Sequence, residues 1–110
     1  MENFSLNIPC PVQKVIIDTD PGIDDAMALH FSFAHPQVEV VGLTTIFGNV
    51  FVEQATRNAL YLTEQANYPA AIAQGASAPL VMPMNAPSHH VHGAEGLGRL
   101  SAVIPEGVAD

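Results

Sequence analysis

Apolar residues in the first two thirds of the chain fall into short blocks of two kinds, and the two kinds alternate. Val15-Ile16-Ile17 is a continuous β-branched run ending on Asp18, the pattern of a parallel strand buried on both faces. Pro21-Gly22 interrupts it, helix formers run from Asp24 to Ala34, and Pro36 marks the stop. A second strand is predicted over 38–46, ending in Thr44-Thr45-Ile46, with Phe47-Gly48-Asn49 as the turn after it. A second helix is predicted over 52–65, with Val52, Ala55, Ala59, Leu60 and Leu62 supplying its apolar face. Tyr68-Pro69 breaks that helix, and Ala70-Ala71-Ile72-Ala73 reads as a third short strand. From Gly75 to Gly98, Pro79, Pro83 and Pro87 prevent regular structure, and a loop of that length is usually functional or disordered. Residues 1–13 read as an irregular leader, and residues 14–110 as part of a single domain.

Strand, helix, strand, helix, strand predicts an α/β fold: a parallel sheet with helical crossovers. Ligands of such sheets bind outside the carboxyl ends of the strands. That edge would gather the loop from Asp18 to Asp25, the turn from Phe47 to Asn49, and the long segment holding His89, His90 and His92. Every polar constellation of note therefore falls on one side of the predicted sheet.

Composition narrows what this edge can bind. The chain of 110 residues is 48% hydrophobic, enough to bury a core, but only 13% charged, as if another surface were to cover part of it. Three basic residues (Lys14, Arg57, Arg99) against eleven acidic ones give a net charge of −8. Phosphate neutralisation needs clustered cations, so nucleic acid is excluded as a partner, and an anionic membrane surface with it. No apolar run approaches the length of a membrane span. The single cysteine, Cys10, cannot form an internal disulfide, and the start of the chain lacks a secretory pattern, so a cytoplasmic protein is expected.

Four of the eleven carboxylates (Asp18, Asp20, Asp24 and Asp25) lie within eight residues. Asp18 and Asp20 can point to the same side if strand geometry continues. Asp24 and Asp25 open a helix, where free N–H groups and the dipole favour negative charge, and Pro21-Gly22 bends the second pair back toward the first. Carboxylates so crowded stay partly protonated or share a cation. Hard oxygen ligands, with no Cys or His in the loop, point to Ca²⁺ or Mg²⁺ rather than zinc. The spacing is not that of an EF-hand, so distant residues would have to complete any metal site. Taken singly, each aspartate is as readily a helix cap or a solvated loop residue.

The segment Val15 to Ala26, VIIDTDPGIDDA, closely resembles the amino-terminal fingerprint of the inosine-uridine type nucleoside hydrolases. The likeness continues through Thr44-Thr45-Ile46-Phe47-Gly48-Asn49, Thr56-Arg57-Asn58-Ala59, Gly75 with Pro79-Leu80, His90-Val91-His92-Gly93 and Gly96-Leu97-Gly98. It implies the amino-terminal β-α-β-α-β portion of a Rossmann-like nucleoside hydrolase fold, and hydrolysis of the N-glycosidic bond of ribonucleosides to ribose and free base. By the same likeness Asp20 would bind Ca²⁺ and act as general base to the attacking water. Asp25 would be a metal ligand, with Asp18 close by as a contact to the metal or its waters. Asp24 and Asn49 would contact the ribose, and the segment around His90 would border the nucleobase, with His92 the better candidate for a role at the leaving base. Such chemistry suits the residues, because a carboxylate-rich pocket stabilises an oxocarbenium-like state.

Bland accounts compete for several positions. Asn49 after Gly48 is also a common turn residue, and His30 and His35 read as surface histidines. Arg57 and Asn58 read as helix-surface or inter-element polar contacts rather than site residues. Family members are considerably longer. They finish the metal site with a backbone carbonyl from a middle segment and an aspartate near the carboxyl end, and take a leaving-group histidine from that later region. The expectation is a truncated portion of such an enzyme, inactive alone, whose complete form is a homo-oligomer. A fragment with a purely binding or structural role is one alternative. A haloacid-dehalogenase-like phosphatase is another, although its Asp-x-Asp is normally followed by Gly-Thr or Gly-Val rather than Pro21-Gly22.

Overall fold

The computed structural model describes residues 11–87 together with Gly96, Leu97, Gly107 and Ala109. Five elements follow one another: β1 (Gln13–Thr19), α1 (Ile23–Ala34), β2 (Val38–Thr45), α2 (Val52–Ala66) and β3 (Ala71–Gln74). The strands form one parallel sheet in the order β1-β2-β3. The α/β reading holds, with element ends displaced by a residue or two. β1 begins at Gln13, the last residue of the predicted leader, and β3 lies one residue later than expected.

Two crossovers that step in the same direction with the same hand must lie on the same side of a sheet. Both helices accordingly share one face, where they touch each other. The core forms beneath them from Leu29 of α1, Val40 and Leu43 of β2, Ala59 and Leu62 of α2, and Ile72 of β3. At its rim Phe33 stacks on Tyr68 with ring centroids 4.4 Å apart, a contact contributing about 0.5–1.5 kcal/mol beyond its buried area.

The expectation that β1 is buried on both faces is overturned. Val15, Ile17 and Thr19 alternate toward the helices, while Ile16 between them is 67% exposed. The physical reason is the one-sided placement of the helices, which leaves the opposite sheet face bare in the described residues. Ile16 and Val41 stand on that face.

One irregularity sets the phase of β2. Val15 pairs with Val40, but the next residue, Ile16, pairs with Gly42, so Val41 is an extra residue in the ladder. Beside it, the Val40 amide donates to the Tyr68 hydroxyl at 2.8 Å. With one residue inserted, Val40 and Leu43, three apart, both point into the core, and Thr45 follows Leu43 to the same side. Thr44 is left on the bare face, opposite Asp18.

α2 buries residues at helical spacing (Val52, Ala55, Thr56, Asn58, Ala59, Leu62 and Thr63) and ends on Asn67 in the left-handed conformation. Three of these are polar. Thr56 donates to the Val52 carbonyl and Thr63 to those of Ala59 and Leu60, so both are satisfied within the helix. Asn58 is not satisfied that way. Among the described residues no helix is long and apolar enough to cross a membrane.

Candidate functional site

The carboxyl ends of β1 and β2 lie side by side because Thr19 pairs with Thr45. The loops that leave them, Asp20-Pro21-Gly22 and Ile46 to Phe51, therefore begin in contact, and the Ile46 amide donates to the Thr19 carbonyl at 3.2 Å. Asp20 reaches across to the second loop. Its Oδ2 accepts the Asn49 backbone N–H at 2.6 Å, and its own carbonyl accepts the Asn49 side-chain amide at 3.2 Å. Gly48 explains how the two come so close: a Cβ at that position would overlap the Asp20 carboxylate. The Gly48-Asn49 turn is thus both a turn and a partner of the acidic loop.

Asp25 enters from the first turn of α1 and is half-buried. Its Oδ2 accepts the Thr19 hydroxyl at 2.7 Å. Burial is the main cause that raises its carboxyl above the ordinary carboxylate range. The Thr19 hydroxyl opposes this, while the charge of Asp20, a hydrogen bond between the two side chains and the charge of Asp24 add to it. Asp20 and Asp25 consequently face each other as a crowded pair. They border a cleft of about 250 Å³ between β1 and α1, lined also by Asp18, Thr19, Leu29 and Ser32.

Asp18 occupies a different position from the other three. It is exposed on the bare sheet face, and its Oδ1 accepts the Thr44 hydroxyl at 2.7 Å. Asp24 is exposed at the start of α1. Of the residues singled out in the sequence, the fold brings Asp20, Asp25 and Asn49 together, with Asp24 adjoining and Asp18 at the edge of the same cleft. His90 and His92 lie outside the described residues.

A cation fits this donor set in part. Two carboxylates brought together in a cleft of hard oxygen atoms are a donor set that a divalent ion suits. Among the described residues, however, no three His, Cys, Asp or Glu side chains are arranged to hold a metal. Calcium takes about six to eight oxygen ligands, so Asp20 and Asp25 could supply only part of its coordination.

A pH dependence follows for the metal-free protein. With its folded-state carboxyl raised, Asp25 holds its proton more tightly in the fold than in the unfolded chain. That contribution to stability is fully present below the unfolded value and is lost as pH rises through the folded one. In chelator, Asp25→Asn should gain thermal stability relative to wild type as pH rises from about 4. Thermal midpoints that stay parallel across this range would remove Asp25 as the titrating group.

Three participants carried weak signals in the sequence. Thr19 and Thr44 end strands, where β-branched residues are expected in any case, and only the register reveals that they hold Asp25 and Asp18. Asn58 looked like an ordinary polar helix residue, but it is completely buried, and its Nδ2 donates to the Pro21 carbonyl at 3.1 Å.

Residues 15–109 match the family described as inosine-uridine preferring nucleoside hydrolase. Uridine nucleosidase 1 of Arabidopsis thaliana is 50% identical over 94 residues, covering 84% of this chain and 28% of the relative. The non-specific ribonucleoside hydrolase RihC of Klebsiella pneumoniae is 48% identical over 83 residues, covering 76% of this chain and 27% of its own length. Among solved structures, a plant nucleoside hydrolase, the PpNRh1 enzyme, superposes with a TM-score of 0.83 at 42% identity, covering 90% of this chain and 32% of that one. A purine-preferring ribonucleoside hydrolase from Gardnerella vaginalis gives 0.82 at 30% identity, covering 89% and 32%. The chain thus spans less than a third of the length of these relatives.

Proposed function

Because the chain belongs to the inosine-uridine preferring nucleoside hydrolase family, we propose that it forms the ribose and metal end of an enzyme that hydrolyses the N-glycosidic bond of ribonucleosides. The observation that carries this reading is the meeting of Asp20 with Asn49 and Asp25 where β1 and β2 end. Asp20 and Asp25 would hold Ca²⁺, with Asp18 nearby. When bound, the ion would supply positive charge that acidifies a coordinated water and orients ribose hydroxyls.

The rest of the chemistry falls to the protein's own groups. Asp20 is the general base, and the Asn49 amide fixes one of its oxygens, so the carboxylate presents a set direction to the proton it takes. Asp24 and the Asn49 side chain face the ribose. The carboxylates stabilise the positive charge that spreads over the sugar as the bond to the base lengthens. By the family resemblance, His92 would act at the leaving base. Relatives named for uridine, for purine nucleosides and for no single base all share this segment, which supports a role at the common sugar rather than in base choice.

The test uses the full-length protein that carries this segment. Calcium titrated calorimetrically into wild type should bind, and Asp25→Asn should lose about ten- to a hundredfold or more in affinity. Ribose, not phosphate, should be the product from uridine or inosine. Equal calcium affinity in the two proteins would remove Asp25 from the metal site, and phosphate release from a phosphomonoester would overturn the reading.

A further inference from the structure

We infer that Asn58 is a positioning residue for the acidic loop, an inference that rests on the functional reading above. Asn58 lies in the middle of α2 and is 0% exposed. An amide buried so deeply needs partners for its polar atoms; one of them lies in the bend between β1 and α1 and another in α2 itself. Its Nδ2 donates to the Pro21 carbonyl, 37 residues back in the chain, and its Oδ1 accepts Gln54 Nε2 at 2.9 Å, one turn earlier in α2. The orientation of the amide is set by chemistry: a carbonyl can only accept, so nitrogen must face Pro21, and the oxygen is left for the Gln54 donor.

Pro21 joins the two halves of the carboxylate group. Asp20 precedes it, and Gly22 after it opens α1 without a side-chain cap. The Gly22 carbonyl accepts the Ala26 amide at 3.0 Å, so the helix that carries Asp24 and Asp25 starts one residue beyond the Asn58 bond. Consecutive groups of the bend are thus tied from one side: the Asp20 carboxylate and carbonyl by Asn49, then the Pro21 carbonyl by Asn58. Gly96, at φ +89°, closes over the same point. A Cβ there would stand 2.9 Å from Asn58 Nδ2 and 3.2 Å from the Pro21 carbonyl oxygen. Asn58 therefore sets the distance and angle between Asp20 on the strand side and Asp25 on the helix side without touching substrate or metal.

A merely structural amide would change stability alone, whereas a positioning amide changes the site of protein that is still folded. In the full-length protein, Asn58→Leu keeps the bulk and removes the donor. The folded protein should bind calcium about tenfold to a hundredfold more weakly, the range found when groups behind metal ligands are removed. Its kcat for ribose release from uridine should fall even at saturating calcium. Gln54→Leu leaves Asn58 and its Pro21 bond in place but removes the donor that steadies the amide oxygen; it should shift both readouts in the same direction by less, and it decides the matter if Asn58→Leu does not fold. Thr63→Val removes a buried hydroxyl whose partners among the described residues are carbonyls of α2, so it should lower the melting temperature and leave calcium affinity and kcat unchanged. Wild-type calcium affinity and kcat in folded Asn58→Leu, or in Gln54→Leu where that variant decides, would overturn the inference. A wild-type protein that neither binds calcium nor releases ribose would instead overturn the functional reading, and this inference with it.

Discussion

In the full-length protein Asp20→Asn is expected to lower kcat for ribose release by about a hundredfold or more, the usual worth of a positioned general base. The substitution is nearly isosteric. Its geometric demands are also mild, because the Asn49 backbone N–H that bonds Asp20 Oδ2 can donate equally to an amide oxygen. The Asp20 carbonyl, which accepts the Asn49 side chain, is unaffected. Structure around the bend should therefore survive while the basic oxygen is lost. Two effects separate by titration. If Asp20 acted only as a metal ligand, excess calcium would restore the rate; if it takes the proton, kcat stays low at saturating calcium. Stopped assays of reducing sugar from uridine across a calcium series measure this directly, and a rate fully restored by calcium would withdraw the base role.

The second large effect concerns the 110 residues on their own, which are expected to release no ribose from inosine or uridine. Asp20 and Asp25 provide too few oxygens for calcium, and among the described residues no third acidic or histidine ligand joins them. Packing points the same way. The bare face of the sheet exposes Ile16 and Val41, the outer side of α1 exposes Met27 and Phe31, and Leu80, Val81 and Met82 are exposed beyond β3. Apolar surface and sheet edges left open in this way favour association over a monomer. Purified residues 1–110 should bind calcium weakly and self-associate in light scattering. A monomeric sample with calcium-dependent ribose release would show that the remainder of the relatives' length is dispensable.

Much of this was legible in the sequence. The order of elements follows from alternating blocks closed by Pro21-Gly22, Pro36 and Tyr68-Pro69, because those residues act through local sterics that need no tertiary context. The acidic loop was legible because its chemistry is concentrated in eight neighbouring residues. What escaped depends on long-range placement. A run such as Val15-Ile16-Ile17 has the same appearance whether one face is covered or two, so the exposure of Ile16 could not be read from it. Val38 to Thr45 carries no mark of an extra residue, since Val40 and Val41 are chemically alike. Asn58 differs from exposed Arg57 only by one helical step of about 100°, and its partner lies 37 residues away.

That extra residue in β2 has a consequence for how the chain tolerates insertions and deletions. The irregularity absorbs Val41, so the side chains downstream keep the facing of an uninterrupted ladder. Replacing Val41 alters a half-exposed surface position and nothing more. Deleting it would leave Val40 followed by Gly42 in the pairing they already have, with Leu43 and Thr45 still in the core, whereas deleting Thr44, outside the irregularity, would turn Thr45 out of the core. Thr45, whose hydroxyl bonds that of Thr56 at 2.7 Å, would lose α2, and Asp18 would lose the Thr44 hydroxyl at its strand end. The same count of residues therefore aligns both the core and the acidic edge. Sequences descended from this one can change or lose position 41, but they cannot lose Thr44.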